Sequence, residues 1–394
     1  MTNARKYLDA NASEVMRPEA RAAMVAALDH VGNPLSVHGE GRRARGLVET
    51  AREQVAALVG ARPVEVVFTS GATEANNAIV AAGWDDIALS SIEHPSVLVP
   101  VEATAARVTR IAAGRDGVVR AEAFADWALA GSTAGSRRLA ALQLANNETG
   151  VVQPLAEVAH LAAEQGFHLH VDAAQGPGRM AVDFSMRGIA SMSLSAHKMG
   201  GPKGIGALLV REGSALAPLL RGGGQERRRR AGTENVAAIA GFGAAASAVR
   251  ADAEAPARMR RLREMLEREV LLLTPDVVVV GAGAERLCNT SCLALAGLVA
   301  ETLVIQMDLA GIAISAGAAC SSGKVGASHV LTAMGLAPDI ARAAIRVSLG
   351  HASTEADVRA FLAQWARIAA SQSSMPRTAA TVSRASATRQ AQEV

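Results

Sequence analysis

Six short apolar runs constrain this chain most. They are Glu65–Thr69, Asp86–Ser90, Arg138–Leu144, His168–Asp172, Ser191–Ser195 and Gly206–Val210, and stretches with helical spacing lie between them. Gly41 to Gly60, for example, carries Val48, Ala51, Val55 and Leu58 on one helical face. Short strands separated by helices predict an α/β fold with a large, mainly parallel sheet. Open sheets of that kind hold their ligand crevice beyond the carboxyl ends of the strands. The chemistry-bearing residues His94, Asn147, Asp172 and Lys198 fall just past four of these ends.

From about Ala255 the pattern changes. A charged helix over Arg258–Glu269 leads to Val277–Val280, and a smaller C-terminal α/β unit follows to about Ala370. The expected organisation is a large domain over 16–254 and a small domain built from 1–15 plus 255–370. A disordered tail is expected over 371–394, which lacks apolar periodicity. Half of the residues are hydrophobic but only 3% are aromatic, so the core has to be aliphatic. A formal net charge of +3 gives no electrostatic case for nucleic acid or an anionic membrane. Three cysteines suggest free thiols in a reducing compartment. The start, Met1 to Asp9, has no apolar signal-peptide core, and no apolar run reaches the roughly 18 residues of a membrane span. The expectation is a soluble cytoplasmic protein.

Lysine is scarce. Only Lys6, Lys198, Lys203 and Lys324 occur, and the other cations are arginine. Arg cannot form a Schiff base, because its guanidinium stays protonated. Lys198 sits in Ser195-Ala196-His197-Lys198, between an apolar strand and the Gly-rich turn Gly200–Gly204. It is therefore a candidate Schiff-base anchor for an aldehyde cofactor.

Several other residues bear on this reading, each beside a plainer one. Ser70-Gly71-Ala72-Thr73-Glu74 ends a strand and opens a helix, as a phosphate cradle does, though an ordinary helix cap looks the same. Asp172 ends a strand with Gln175 one turn on; it suits a pyridinium partner or a cap. His94 suits a ring-stacking proton shuttle or a satisfied loop histidine. Cys320 lies in a small-residue segment with Lys324 near enough in sequence to lower its pKa, or is an incidental thiol. Cys288 and Cys292 lack zinc spacing and read as buried structural thiols. His168, His170 and Asp172 share one strand face, where packing is the stronger reading than metal. The arginine run 227–230 reads as a solvated loop, with phosphate or subunit contacts as the functional alternative.

Together these segments resemble the cysteine desulfurases of the NifS/IscS type, in the class V aminotransferase group of pyridoxal-phosphate enzymes. The resemblance spans roughly residues 6 to 368. It rests on Tyr7-Leu8-Asp9, Gly32-Asn33-Pro34, Ser70–Glu74, Glu93-His94, Asn146–Gly150, His170–Gln175, Ser195–Lys198 with Gly201–Gly204, Arg230–Asn235, Cys320 in its loop, and Ile345–Ser348. It implies a fold-type-I enzyme with pyridoxal 5'-phosphate as cofactor and L-cysteine as substrate. Lys198 would carry the cofactor. Asp172 would pair with the ring nitrogen, Gln175 with the ring hydroxyl, and His94 would stack over the ring. Ala72, Thr73, Ser195 and His197 would hold the phosphate, and Thr233 would reach the other subunit's phosphate in a homodimer. Asn147 and Arg346 would bind the substrate carboxylate.

In the implied reaction Cys320 takes the substrate sulfur as a persulfide, leaves L-alanine, and passes the sulfur to an acceptor such as an iron–sulfur scaffold protein. No resident metal is implied, and Cys320 is a candidate ligand for a transient cluster. Ala196 stands where Gly is usual, and residues 321–324 depart from the commonest pattern, which leaves the partner open. The alternatives are a selenocysteine lyase or small-amino-acid transaminase of the same fold, or a cofactor-binding regulator without turnover.

Overall fold

The computed structural model describes residues 5–130, 135–214, 216–317 and 328–373. In chain order, β1 (Lys6–Tyr7), α1 (Pro18–Leu28) and α2 (Gly39–Leu58) come first. The next elements are β2 (Val66–Thr69), α3 (Ala72–Val80), β3 (Asp86–Ser90), α4 (Pro95–Leu98), β4 (Arg107–Ile111), α5 (Ala121–Ala130), β5 (Arg138–Gln143) and α6 (Leu155–Gln165). Then follow β6 (His168–Asp172), β7 (Ile189–Ser195), β8 (Gly206–Val210), α7 (Val236–Ala251) and α8 (Ala255–Leu273). The rest are β9 (Val278–Val279), β10 (Thr290–Ala294), α9 (Ala300–Leu309), β11 (Ile312–Ala313), β12 (Ser315–Ala316), α10 (His329–Ala333), α11 (Pro338–Ala343), β13 (Ala344–Ser348) and α12 (Glu355–Ser373).

The large sheet has the order β2-β8-β7-β6-β5-β3-β4. Strands β4, β3, β5, β6 and β7 run parallel, and β8 runs antiparallel between β7 and β2. Strands β2, β3, β5 and β8 are buried at every residue, because helices cover both faces. That explains why these strands read as continuous apolar runs rather than as alternating ones. The six expected strands all form, with ends displaced by at most two residues.

Helices α1, α2 and α7 pack as one layer. α7 is almost free of charge, and Asn235 caps its start by accepting from the Ala238 N–H at 3.1 Å. Its glycines allow close approach: a Cβ on Gly243 would lie 2.5 Å from the Ala51 Cα, and one on Gly241 2.7 Å from Pro202 Cγ. Among the described residues no single helix is long and apolar enough to cross a membrane.

The second sheet, β12-β13-β10-β9, is antiparallel. With α8, α9 and α12 it encloses a separate apolar cluster that includes Leu8, Leu266, Leu303, Phe361 and Trp365. The N-terminal segment joins this unit: β1 pairs with β11, and Asp9 bridges to Ser348. α10 packs the other way, with Val330 and Leu331 in the cluster of the large sheet. The α12 backbone stays helical to Ser373, three residues into the segment expected to be a disordered tail, and 374–394 lie outside the described residues.

Candidate active site

The carboxyl ends of the parallel strands open into a cavity of about 560 Å³. Of the residues expected from the sequence, Ala72, Thr73, His94, Asn147, Asp172, Gln175, Ser195, His197, Lys198 and Arg346 all line it. They come from β6, β7, β13, the start of α3 and the turns after β3, β5, β6 and β7, so the strand ends gather residues up to 274 positions apart.

Asp172 closes β6. Its Oδ1 accepts from the Ala174 N–H at 3.0 Å and from Ser193 Oγ at 3.1 Å, and its Oδ2 accepts from Asn76 Nδ2 at 2.8 Å. Three such donors fix the position of the carboxylate. Lys198 ends the single turn after β7, and its Nζ donates to the carbonyls of Asn11 at 2.5 Å and Ala12 at 3.1 Å. His94 caps α4: its Nδ1 accepts from the Ser96 N–H at 3.1 Å and lies 2.8 Å from Ser96 Oγ. That leaves the ring proton of neutral His94 on Nε2. Burial lowers the His94 pKa, so the ring is neutral at physiological pH. His197 is lowered to about 4, by burial first and then by Lys198 and Lys203.

Helix α3 begins at Ala72, where the first-turn N–H groups have no intrahelical acceptors. Gly71 and Gly204 line the cavity beside them, with nothing within 4 Å of where a Cβ would stand. Gly206 is required for another reason: its Cβ would lie 2.7 Å from the Gly71 Cα and 2.5 Å from the Leu194 carbonyl. The result is a small, donor-rich cradle suited to a phosphate.

Arg346 is buried on β13. Its guanidinium donates to Asp9 Oδ1 at 2.8 Å and to the Asn147 carbonyl at 2.9 Å. Its Nε is buried without an acceptor among the described residues. Arg346 lines the cavity, and a guanidinium in such a wall suits a carboxylate ligand. Gln175 is oriented by its neighbours, accepting from buried Arg179 at Oε1 and donating to the Asn11 carbonyl at 3.2 Å. The donor set fits pyridoxal 5'-phosphate: an amine, a carboxylate, a flat imidazole and an anion cradle meet in one space.

The resemblance assigns Thr233 to the other subunit's phosphate. Thr233 is not in the main cavity; it lines a smaller hollow of about 180 Å³, which Ser70 and Gly204 also border. The arginine run is not simply a solvated loop. Arg230 pairs with Glu74 of α3 at 2.9 Å, Arg229 donates to the Val64 carbonyl, and buried Glu226 takes both Arg52 nitrogens at 2.7 and 2.9 Å. Glu226, Arg227 and Arg228 adopt left-handed backbone angles in holding this turn. Cys288 and Cys292 are buried, their thiols pushed up by burial to about 11 and about 12, which makes them inert. Cys320 lies outside the described residues. The residues that flank that segment, Gly317 and Ser328, are held by the Ala344 carbonyl at 3.1 Å and by Glu148 at 2.5 Å.

The sequence reading missed Asn11, Asn76, Ser96 and Glu148. Asn11 is fully buried and touches Lys198, Gln175, Asn147, Thr290 and Asn289. No local pattern marks it. Asn76 had a signal: it is a polar residue on the face of α3 that otherwise buries Ala75, Ile79 and Val80.

This fold and site define a member of the aminotransferase class-V family, to which the chain belongs: residues 6–361 match that family. Within it the chain is 40% identical over 372 residues to an IscS-like cysteine desulfurase of Mycobacterium tuberculosis, covering 90% of this chain and 94% of that one. It is 40% identical over 373 residues to a cysteine desulfurase of Cereibacter sphaeroides, covering 91% and 94%. A NifS-like protein from Rickettsia africae superimposes with a TM-score of 0.86 at 34% identity, covering 92% of this chain and 99% of that one.

Proposed function

We infer that this chain is a pyridoxal-phosphate-dependent cysteine desulfurase, with Lys198, Asp172 and His94 as its cofactor-site machinery. The observation that carries the assignment of roles is their convergence on one cavity, with a helix N-terminus at one end and the buried Arg346 guanidinium in its wall. Pyridoxal 5'-phosphate, when bound, supplies an aldehyde for amines and a ring that draws electron density from the substrate Cα. Lys198 would anchor the aldehyde through Nζ, and its amine is the base placed to take the substrate Cα proton. Asp172 would pair with the ring nitrogen and favour its protonated form. Gln175 would donate to the ring hydroxyl, and Ala72, Thr73, Ser195 and His197 would hold the phosphate. Arg346 and Asn147 bind the carboxylate of L-cysteine. His94, neutral with its proton on Nε2, would stack on the ring and exchange a proton with the substrate thiol.

The thiolate of Cys320 attacks the substrate sulfur. The Cβ–S bond breaks, an S–S bond forms, and the carbon skeleton leaves as L-alanine after protonation. The enzyme is left with a persulfide on Cys320, which a thiol of an acceptor protein takes up for iron–sulfur cluster assembly or related sulfur transfer. Thr233 serves the neighbouring subunit of a homodimer, and the protein works in the cytoplasm.

The test measures sulfide and alanine released from L-cysteine with a reductant, for the parent and for Cys320→Ala. The expected result is equal alanine and sulfide from the parent and loss of both in the variant, with the visible cofactor absorbance retained. Undiminished turnover in the variant would remove Cys320 from the reaction and favour a lyase or transaminase.

A further inference from the structure

Neither Asn76 nor His170 lines the cavity, yet both are tied to the residues that do. Asn76 is fully buried on α3 and has three side-chain partners. Its Nδ2 donates to Asp172 Oδ2 at 2.8 Å and to Ser96 Oγ at 2.8 Å, and its Oδ1 lies 2.9 Å from His170 Nε2. The orientation of this amide is forced. The Asp172 oxygen accepts, so the Asp172 side is the NH2 group and the His170 side the carbonyl.

Each link then sets the next. His170 Nε2 must carry the proton, so its Nδ1 accepts from Ser191 Oγ at 2.9 Å, and that oxygen in turn accepts from His168 Nε2 at 2.8 Å. On the other arm, Ser96 Oγ accepts from Asn76, so its own proton points to His94 Nδ1 at 2.8 Å. The Ser96 N–H reaches the same nitrogen. Burial lowers His170 to about 4 and His168 to about 3, so both stay neutral and the polarity of the chain is kept.

We propose that Asn76 is a positioning residue that orients two groups at once: the Asp172 carboxylate facing the cofactor's ring nitrogen and, through Ser96 Oγ, the His94 ring facing the substrate. This rests on the cofactor reading given above. Asp172 and His94 belong to different strand ends, and Asn76 is one amide from which hydrogen bonds lead to both. A change at Asn76 is therefore felt at both, while a change at Ser96 leaves the Asn76–Asp172 bond in place.

The test uses the full chain with three substitutions: Asn76→Asp, Ser96→Ala and, as control, Asp172→Asn. Three readouts apply: the pyridoxal-phosphate dissociation constant, the pH titration of the holoenzyme's visible absorbance, and the imidazole ¹⁵N shifts of His94 and His170 in the cofactor-free protein. N76D sets a carboxylate against Asp172. It is expected to weaken cofactor binding about tenfold or more, the scale of a lost hydrogen bond to a charged group. It should also displace the absorbance titration and alter both histidine signals. S96A is expected to leave cofactor affinity within about twofold, to move only the His94 shifts, and to lower kcat more than it raises KM. If D172N changes affinity and absorbance but N76D does not, the proposal is overturned. If S96A leaves the His94 shifts in place, the His94 arm is overturned. If D172N itself changes neither readout, the cofactor role of Asp172 fails, whatever Asn76 does.

Discussion

Arg346 shows how much one side chain can be made to do. Two of its nitrogens are spent on Asp9 and the Asn147 carbonyl, which fixes the plane of the guanidinium and leaves Nε without an acceptor among the described residues. Arg346→Lys keeps the charge and loses the fork. A charge-assisted hydrogen bond contributes about 1.5–3 kcal/mol, so KM for L-cysteine is expected to rise roughly tenfold to a hundredfold. Steady-state alanine release against cysteine concentration checks this; an unchanged KM would place the carboxylate elsewhere. Most single residues of the site were legible because strand ends announce them: Asp172, His94 and Lys198 each follow an apolar run. Asn11 was not legible. It follows a two-residue strand, and its role is set by partners 136 to 337 positions away in sequence, which no local pattern encodes.

Among the elements, the α2–α7 contact sets the tightest limit. Gly243 in the middle of α7 costs helix propensity of about 1 kcal/mol relative to alanine, so a Gly→Ala change at an open site would stabilise. Here the added Cβ would stand 2.5 Å from the Ala51 Cα and 2.3 Å from Gln54 Oε1. Sterics win, because a helix backbone cannot yield as a side chain can, and overpacking costs about 1–3 kcal/mol. Gly243→Ala is expected to lower the melting temperature, read by thermal denaturation of the holoenzyme; a higher Tm would show the helices free to separate. The helices themselves were readable from periodicity. The arginine run was not, because its contacts to Glu74 and Val64, and the neighbouring Glu226–Arg52 pair, form only when the turn folds back onto β2 and α3.

For the whole molecule, buried titratable groups set how stability follows pH. His168, His170 and His197 sit well below the usual histidine range, by burial first. Their neutral forms favour the fold, so this stability is present above about pH 6.5 and is lost as pH falls toward 4. Glu148 is shifted the opposite way, raised by burial to about 7. Its protonated form favours the fold, so its contribution is complete below about pH 4.5 and is lost as pH rises through 7. Glu148→Gln keeps an acceptor for Ser328 without a charge. Its Tm is expected to gain on the parent steadily between about pH 4.5 and 7 and then to level off; parallel curves would contradict the assignment. The sequence by itself determined the α/β class, the strand ends and the set of chemical groups, because strand and helix periods and the special chemistry of Lys, Asp and His are local properties. Only the tertiary structure decided which of those groups meet, that Asn76 leads to both Asp172 and His94, and that Thr233 stands outside the main cavity. Such contacts depend on the order of strands in the sheet and on burial, and neither is a property of any short stretch of chain.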